Sequence, residues 1–315
     1  MPVAGASLGA TRDRLARAEA LGFTDLWSQE TGAHDAFTPL GVAAAHTSRA
    51  RLGTAIASIF TRGPALLAMQ TASLSDAAPG RFVLGLGTSS RPMVEGWNGI
   101  PFERPYTRMR DTLRWLKALF ERGRADDEGA AVGVRGFKLG VALESRPPIH
   151  IAALGPKMLG LAAREADGVL LSLVGPDHAG ELVGRFRGQE PERGRGEVVL
   201  RVGCLLDPGR ERAITHARRT LAAYLAVPTY EALYRGLGEG DRVEAIRDAW
   251  ASGAHAEARS LVPDEWVEGV FAIGDAAAIR ARLGRFREAG IELPIIAPTV
   301  FEGDLDEALE IWAEA

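Results

Sequence analysis

The chain has 315 residues, of which 46% are hydrophobic and 25% charged, and its formal net charge is −4. These values fit an ordinary enzyme-sized globular chain and argue against nucleic acid as the main partner, because phosphate binding is driven by a basic excess. Cys204 is the single cysteine, so no intrachain disulfide and no paired-cysteine metal or redox motif is available, and no apolar run reaches membrane-spanning length; the expectation is a cytoplasmic protein without a membrane segment.

Short apolar runs alternate with amphipathic segments along the chain. Val3 to Ala6 reads as the tail of a first strand, and Thr11 to Leu21 as a helix with Leu15, Ala18 and Leu21 on one side and Gly22 as its stop. Phe23 to Ser28 reads as strand, Phe37 to Ser48 as helix, Leu52 to Ser58 as strand, and Pro64 to Ala77 as a helix opened by proline. A glycine-punctuated strand over Gly80 to Ser89 precedes a long helix, Pro105 to Arg122, with Met109, Leu113, Leu116 and Phe120 as its buried stripe. The polar segment 123–144 is predicted to be an insertion, with Val132 to Leu139 alternating like a small hairpin.

The alternation resumes with Pro148 to Ala153 as strand, Gly155 to Ala166 as helix, Gly168 to Leu173 as strand, His178 to Phe186 as helix and Val198 to Leu206 as strand. After a helix from Arg210 to Ala226, residues 228–270 read as a second, helix-rich insertion and a candidate lid. A helix from Asp275 to Ala289, a strand from Leu293 to Ala297 and a last helix from Leu305 to Ala315 complete the pattern. Eight strands each followed by a helix predict an α/β fold of the (β/α)8 TIM-barrel type, one domain over residues 1–315, with an open doubly wound sheet as the alternative.

In such a fold the chemistry lies where strands end. Gly85 and Gly87 remove side chains, either so that a ligand approaches the backbone or so that a neighbouring helix packs closely, and Thr88 and Ser89 follow at the strand's carboxyl end. Glu30, directly after a buried strand, is the best-placed carboxylate; its alternative is a loop carboxylate in water. Asp35 reads as a helix cap rather than a metal ligand with Glu30 and His34. Arg62 is expected to pair with Asp76 or with an anionic ligand. Ala152-Ala153-Leu154-Gly155-Pro156 leads into a helix whose first amides suit a phosphate, with Lys157 adjacent; a plain strand-to-helix turn is the competing reading. Trp97, Phe102 and Tyr106 read either as the wall of a substrate pocket or as core. No GxGxxG, GxSxG or HExxH run is present, which sets nucleotide-loop, hydrolase and zinc readings low.

The segment Ala20 to Ser28 with Glu30, the segment Gly80 to Thr88, and Ala152 to Pro156 with Ala166-Asp167-Gly168 together resemble the bacterial luciferase-like family, most closely its branch dependent on coenzyme F420, a deazaflavin. The resemblance implies a barrel with the ring at the carboxyl ends of the strands, a non-proline cis peptide at Ala55-Ile56 behind it, and the cofactor phosphate on Ala153 to Pro156. It names Ser28, Ala55, Ile56, Gly87, Thr88, Ser89, Ala152, Ala153, Leu154, Gly155 and Pro156 as cofactor contacts and leaves Glu30 as the catalytic candidate. The Asp-His pair of the family's sugar-phosphate dehydrogenases is Gln29-Glu30 here, so that activity does not carry over. What the resemblance implies is an F420-dependent oxidoreductase acting on a small organic substrate, with homodimers common in the family. The alternatives are a monooxygenase using flavin mononucleotide (FMN) and a barrel that binds the ring without turnover.

Overall fold

The computed structural model describes residues 7–125, 131–191, 195–207, 209–301 and 308–313, so the expected first strand at Val3 to Ala6 lies outside the described residues. The chain divides into two compact units. The first comprises Met1–Ala153, Gly160–Leu170 and Gln189–Glu197. In chain order it carries α1 (Leu8–Ala20), β1 (Asp25–Ser28), α2 (Thr38–His46), β2 (Arg51–Thr54), β3 (Ala57–Ser58), α3 (Pro64–Ala77), β4 (Phe82–Gly87), α4 (Pro105–Arg122) and β5 (Ile149–Ala152). It also contains most of α5 (Pro156–Glu165) and the first residues of β6 (Gly168–Ser172). The apolar stripe read on the longest helix is buried as expected: Met109, Leu113 and Leu116 are inaccessible.

The strands of this unit pair in parallel, with Ser28 opposite Thr54, Ser58 opposite Gly87, Leu86 opposite Ile151 and Ala152 opposite Leu170. Parallel pairing gathers all their carboxyl ends along one edge of the sheet, where the loops that follow must also begin. The run expected as one strand from Leu52 to Ser58 is instead broken in two. Gly53 faces Val83 and Ala57 faces Leu86, so four steps of one strand lie against three of the next, and the surplus residue forms a bulge at Thr54-Ala55-Ile56. The Ala55-Ile56 peptide is cis, at the position the resemblance implied.

β4 is shaped to accept that bulge. A Cβ on Gly85 would stand 1.8 Å from the Thr54 carbonyl oxygen, and one on Gly87 would stand 2.6 Å from Ile56 Cγ1. The Thr54 hydroxyl replaces the interrupted ladder by donating to the Gly85 carbonyl at 2.7 Å and accepting from the Gly85 amide at 2.9 Å. Neither reading of the glycines anticipates this: the space they leave is filled by the adjoining strand, not by a helix.

The opposite edge of the sheet is held by charge. Arg51 at the start of β2 reaches Asp25 at the start of β1 and makes a two-pronged contact with Glu197 at 2.8 and 2.9 Å. Arg146 makes the same kind of contact with Asp167, which also accepts the Ile149 amide. Glu19, on α1, accepts the backbone amides of Ser48, Arg49 and Ala50 and so fastens the turn before β2.

The second unit comprises Leu154–Leu159, Leu171–Gly188 and Val198–Ala315. In it α6 (Pro176–Arg187) is followed by β7 (Glu197–Leu206) and α7 (Glu211–Leu225), then by four helices: α8 (Pro228–Gly236), α9 (Gly240–Ala251), α10 (His255–Ser260) and α11 (Asp264–Val270). β8 (Ala272–Gly274), α12 (Ala276–Glu288), β9 (Leu293–Val300) and α13 (Ala308–Ala313) complete the chain. β7 pairs in parallel with β8 and with β9, the latter from Val199–Leu293 to Leu206–Val300. The expected helix-rich insertion is present and has its own core, in which Tyr234, Val243, Ile246, Ala258 and Val267 pack with Leu221 and Leu225 of α7.

Two expectations are corrected. The small hairpin over Val132 to Leu139 is absent among the described residues, where a single antiparallel bridge joins Arg124 to Lys138. β8 was not anticipated, because three residues between two helices are too short to show a period.

Candidate active site

The site is built from the loops on the carboxyl edge of the first unit. β1 ends at Ser28, which is buried and whose hydroxyl donates to the Ala36 carbonyl. Ser28 therefore ties down the far end of the loop that carries Glu30. Within that loop Asp35 accepts the amides of Phe37 and Thr38 at 2.8 and 3.1 Å, so it shapes the turn into α2, whose N-cap is Phe37 and not Asp35 as expected. Desolvation would raise the Asp35 pKa, but hydrogen bonds from the Thr38 side chain and from these amides, with Arg62 nearby, hold it below its ordinary value.

Glu30 is clamped. Arg62 Nη1 donates to Glu30 Oε2 at 2.7 Å and Nη2 donates to Oε1 at 2.6 Å, while Asp35 lies 3.7 Å from the same guanidinium. The local sequence explains how Arg62 gets there. The Ser58 hydroxyl accepts the amides of Phe60 and Thr61, which turns the chain after β3, and Gly63-Pro64 opens α3 immediately beyond. Arg62 is 8% exposed and its guanidinium sits 5.2 Å from the Phe37 ring centroid. Its partners are thus Glu30 and Asp35, and the expected pairing with Asp76 is not what the structure contains.

Beside this clamp stands the bulge. Thr54 and Ala57 are buried, whereas Ala55 and Ile56 between them are half-buried and presented at the edge. Thr88, Ser89 and Ser90, beyond β4, are half-buried too. Ser89 adopts φ +59, a left-handed conformation that non-glycine residues seldom take, and its hydroxyl contacts Met93 Sδ at 3.4 Å. A π-helical turn, Pro92–Gly96, then leads to Trp97, which is 62% exposed and lies over Gly32 of the Glu30 loop. Phe102 stacks on Phe60 at 4.8 Å, so of the expected aromatic trio only Trp97 is largely exposed. Ala152, at the end of β5, is half-buried and Ala153 is buried. Leu154, Gly155 and Pro156 follow directly in the chain, with Gly155 and Pro156 exposed at the start of α5.

These residues fit a planar ring. A flat heterocycle needs an apolar support of low relief, which Ala55 and Ile56 supply, and hydroxyl groups at its margin, which Thr88, Ser89 and Ser90 supply. At the start of α5, Pro156 carries no N–H and the Leu159 amide donates to the Gly155 carbonyl at 2.9 Å.

Sequence reasoning placed Glu30 but missed the Arg62 fork and a buried group at the other edge, His150. That imidazole is 2% exposed, lies 3.5 Å from Glu197, and stacks against Trp27 with ring centroids 6.4 Å apart. Burial lowers its pKa to about 4, with Glu197 opposing and Arg51 adding to the shift. Its place in the middle of an apolar strand gave no hint of a charged neighbour.

The family model described as luciferase-like monooxygenase matches residues 1–293. A protein of Mycobacterium tuberculosis named for coenzyme F420-dependent oxidoreductase activity is 29% identical over 307 residues, covering 90% of this chain and 88% of that one. Among solved structures, the coenzyme F420-dependent tetrahydromethanopterin reductase of Methanopyrus kandleri superposes with a TM-score of 0.81 at 22% identity, covering 99% of this chain and 95% of that one. An F420-dependent secondary alcohol dehydrogenase, solved with an F420-acetone adduct, gives a TM-score of 0.80 at 18% identity with the same coverage. The chain belongs to the luciferase-like monooxygenase family.

Proposed function

We propose that this protein is a coenzyme F420-dependent oxidoreductase, which transfers hydride between the deazaflavin and a small organic substrate. The observation that carries the reading is the bulge at Ala55 and Ile56, seated in the glycine slots of β4 and presented beside Thr88, Ser89 and Ala152 on one edge of a parallel sheet. When bound, the deazaflavin supplies a ring carbon that takes up or gives back a hydride.

The protein's own residues orient and protect. Ala55 and Ile56 would support the ring, Gly87 would keep Ile56 in that position, and Thr88 and Ser89 would meet the ring margin. Ala152 and Ala153, at the end of β5, would lie on the phosphate side of the ring, the part that the resemblance implies for them. Ser28 acts one step back, by holding the Glu30 loop through Ala36. Glu30, 22% exposed at its side chain, is the group placed to exchange a proton with a substrate over the ring.

The family's eight-stranded barrel, a homodimer and a cytoplasmic location belong to the same reading. Leu66 and Met69, both exposed on α3, are apolar surface of the kind a homodimer would cover. Among the described residues no helix is long and apolar enough to cross a membrane.

Equilibrium titration of the purified protein with F420 and with FMN, followed by fluorescence quenching, tests the cofactor. Tighter binding of F420 by about tenfold or more is the expected result. A preference for FMN of that size would replace this reading with a flavin monooxygenase.

A further inference from the structure

We propose that Arg108 is a binding residue for an anionic group of the substrate, so that the molecule acted on at this edge carries a carboxylate or a phosphate. The proposal rests on the reading of this edge as the F420 site and goes beyond it by naming what the substrate must carry.

Arg108 stands near the start of α4, and its Nε donates to the Ile59 carbonyl at 3.1 Å. Ile59 opens the turn that leads to Arg62, so Arg108 is fastened to the loop that clamps Glu30. Its guanidinium carbon lies 4.8 Å from the centroid of the Phe60 ring, itself 3% exposed and stacked on Phe102. A rigid aromatic floor thus orients the fork. Among the described residues Nε alone has an acceptor, which leaves the N–H groups of both Nη without a protein partner and the cation without a carboxylate. Nor is the charge fully hydrated. Arg108 is half-buried, and desolvation, with no carboxylate to oppose it, pulls its pKa below the ordinary value.

Enclosed charges are ordinarily paired. The neighbouring arginines follow that rule: Arg62 holds Glu30 at 2.6 Å, Arg91 holds Glu95 at 2.5 Å, and Arg110 and Arg114 hold Asp111 and Glu165, each at 2.7 Å. α4 offers Arg108 nothing equivalent. Its first turn has no acidic residue, and the helix dipole is positive at that end. A carboxylate or a phosphate supplies what is missing, because two oxygens of either group accept in parallel from the Nη pair of a guanidinium. The cofactor's phosphate is expected beside Ala152 and Ala153 at the end of β5, with β4 lying between β5 and β3, which leaves the substrate as the source of this anion. A group held there fixes one end of the substrate without entering the chemistry at the other.

The test uses the F420-loaded protein and matched probes, benzoate with benzamide and acetate with acetamide, together with inorganic phosphate, all at constant ionic strength. Binding is followed by cofactor fluorescence and by calorimetry. At least one carboxylate is expected to bind about tenfold or more tighter than its amide, and that preference should fall below about twofold in Arg108→Gln and in Arg108→Met, which keeps an apolar stem on Phe60. Arg108→Lys should recover part of it. The F420 dissociation constant should change less than about twofold in all three variants. A merely structural arginine would not alter the ratio between two ligands of the same shape. Binding of phosphate alone, lost in Arg108→Gln, would support the proposal with a phosphate ester as the substrate class.

Equal affinity of the native protein for acid and amide, with no binding of phosphate, overturns the proposal, and so does a preference that survives in Arg108→Gln. Loss of F420 affinity by about tenfold in Arg108→Gln would give Arg108 to the cofactor's own phosphate and overturn it as well. Failure of the native protein to bind F420 is a different result, which removes the proposed function and this inference with it. Should the variants fail to fold, phenylglyoxal decides the question on the native protein. Arg108, located by mass spectrometry, should react, and the tighter-binding anion should protect it where the amide does not. Absence of reaction at Arg108, or of protection, counts against the proposal.

Discussion

Substituting Gly87 by alanine separates two explanations of the glycine-punctuated strand. If the glycine makes room for the cofactor, alanine should weaken cofactor binding and leave the fold untouched. The structure points the other way, because the new Cβ would lie 2.6, 2.7 and 3.2 Å from Cγ1, Cδ1 and Cβ of Ile56. Overpacking of this kind costs about 1–3 kcal/mol, and the reduced freedom of the unfolded chain returns about 0.4–1 kcal/mol, which leaves a net loss of about 1–2 kcal/mol. For a chain of this size that is a fall of roughly 2–6 °C in melting temperature. Trimming the obstructing side chain should relieve the clash, so Gly87→Ala/Ile56→Ala is expected to be more stable than the sum of the single variants by about 1 kcal/mol. Gly85→Ala is the companion control: its Cβ would meet the Thr54 carbonyl at 1.8 Å, a backbone atom that no trimming removes, and it should be much the more damaging. Thermal and urea unfolding of the variants, with F420 titration alongside, give the answer. An unperturbed melting temperature in Gly87→Ala together with weakened F420 binding would refute the reasoning.

Other outcomes follow from the charge networks and the buried thiol. His150, with a pKa of about 4 in the folded protein against an ordinary value of 6.5, favours the unfolded chain as pH falls between those limits, so its contribution is complete above about pH 6.5 and lost below about pH 4. Urea unfolding should show about 2 kcal/mol less stability near pH 5 than near pH 7.5, and His150→Gln should abolish most of that difference. The Glu19 pKa stands at about 2, because the amides of Ala50, Ser48 and Arg49 outweigh the desolvation that would raise it. Glu19→Gln should therefore cost about 1–2 kcal/mol at neutral pH, and the gap from the native protein should close as pH falls from about 4.5 to about 2. Burial raises the Cys204 thiol to about 12, so iodoacetamide should not label the folded protein and should label it promptly in denaturant; equal rates would show that the strand around it opens.

Much of the carboxyl edge was legible because strand ends announce themselves. An uninterrupted apolar run followed by Thr88 and Ser89, or by Gly155 and Pro156, marks where a buried strand meets a loop. What the spacing of Gly85 and Gly87 did not disclose was the identity of the atoms they admit. Two glycines two residues apart show that one face of a strand is bare, but only the register of the neighbouring strand, with its extra residue, reveals that Thr54 and Ile56 fill it. The Arg62 fork was hidden for a related reason. An ion pair between residues 30 and 62 depends on two loops leaving adjacent strands at the same height, and nothing local to either residue encodes that. β8 escaped notice through brevity, and the Val132 to Leu139 alternation misled because an exposed polar segment can alternate without a partner strand to pair with.

The two edges of the first unit divide stability from chemistry by different uses of charge. At the amino edge Arg51 holds Asp25 and Glu197, and Arg146 holds Asp167, which also accepts the Ile149 amide. There the arginines are about as exposed as the carboxylates they hold. At the carboxyl edge the fork between Arg62 and Glu30 is asymmetric: the arginine side chain is 9% exposed and packed against Phe37, while that of the carboxylate is 22% exposed. The same interaction therefore does different things at the two ends. Where both partners are about equally exposed it fastens strands, and where the cation is enclosed it fixes the position of the carboxylate. This asymmetry, more than the presence of a carboxylate after a strand, is what distinguishes Glu30 from the other acidic residues of the sheet.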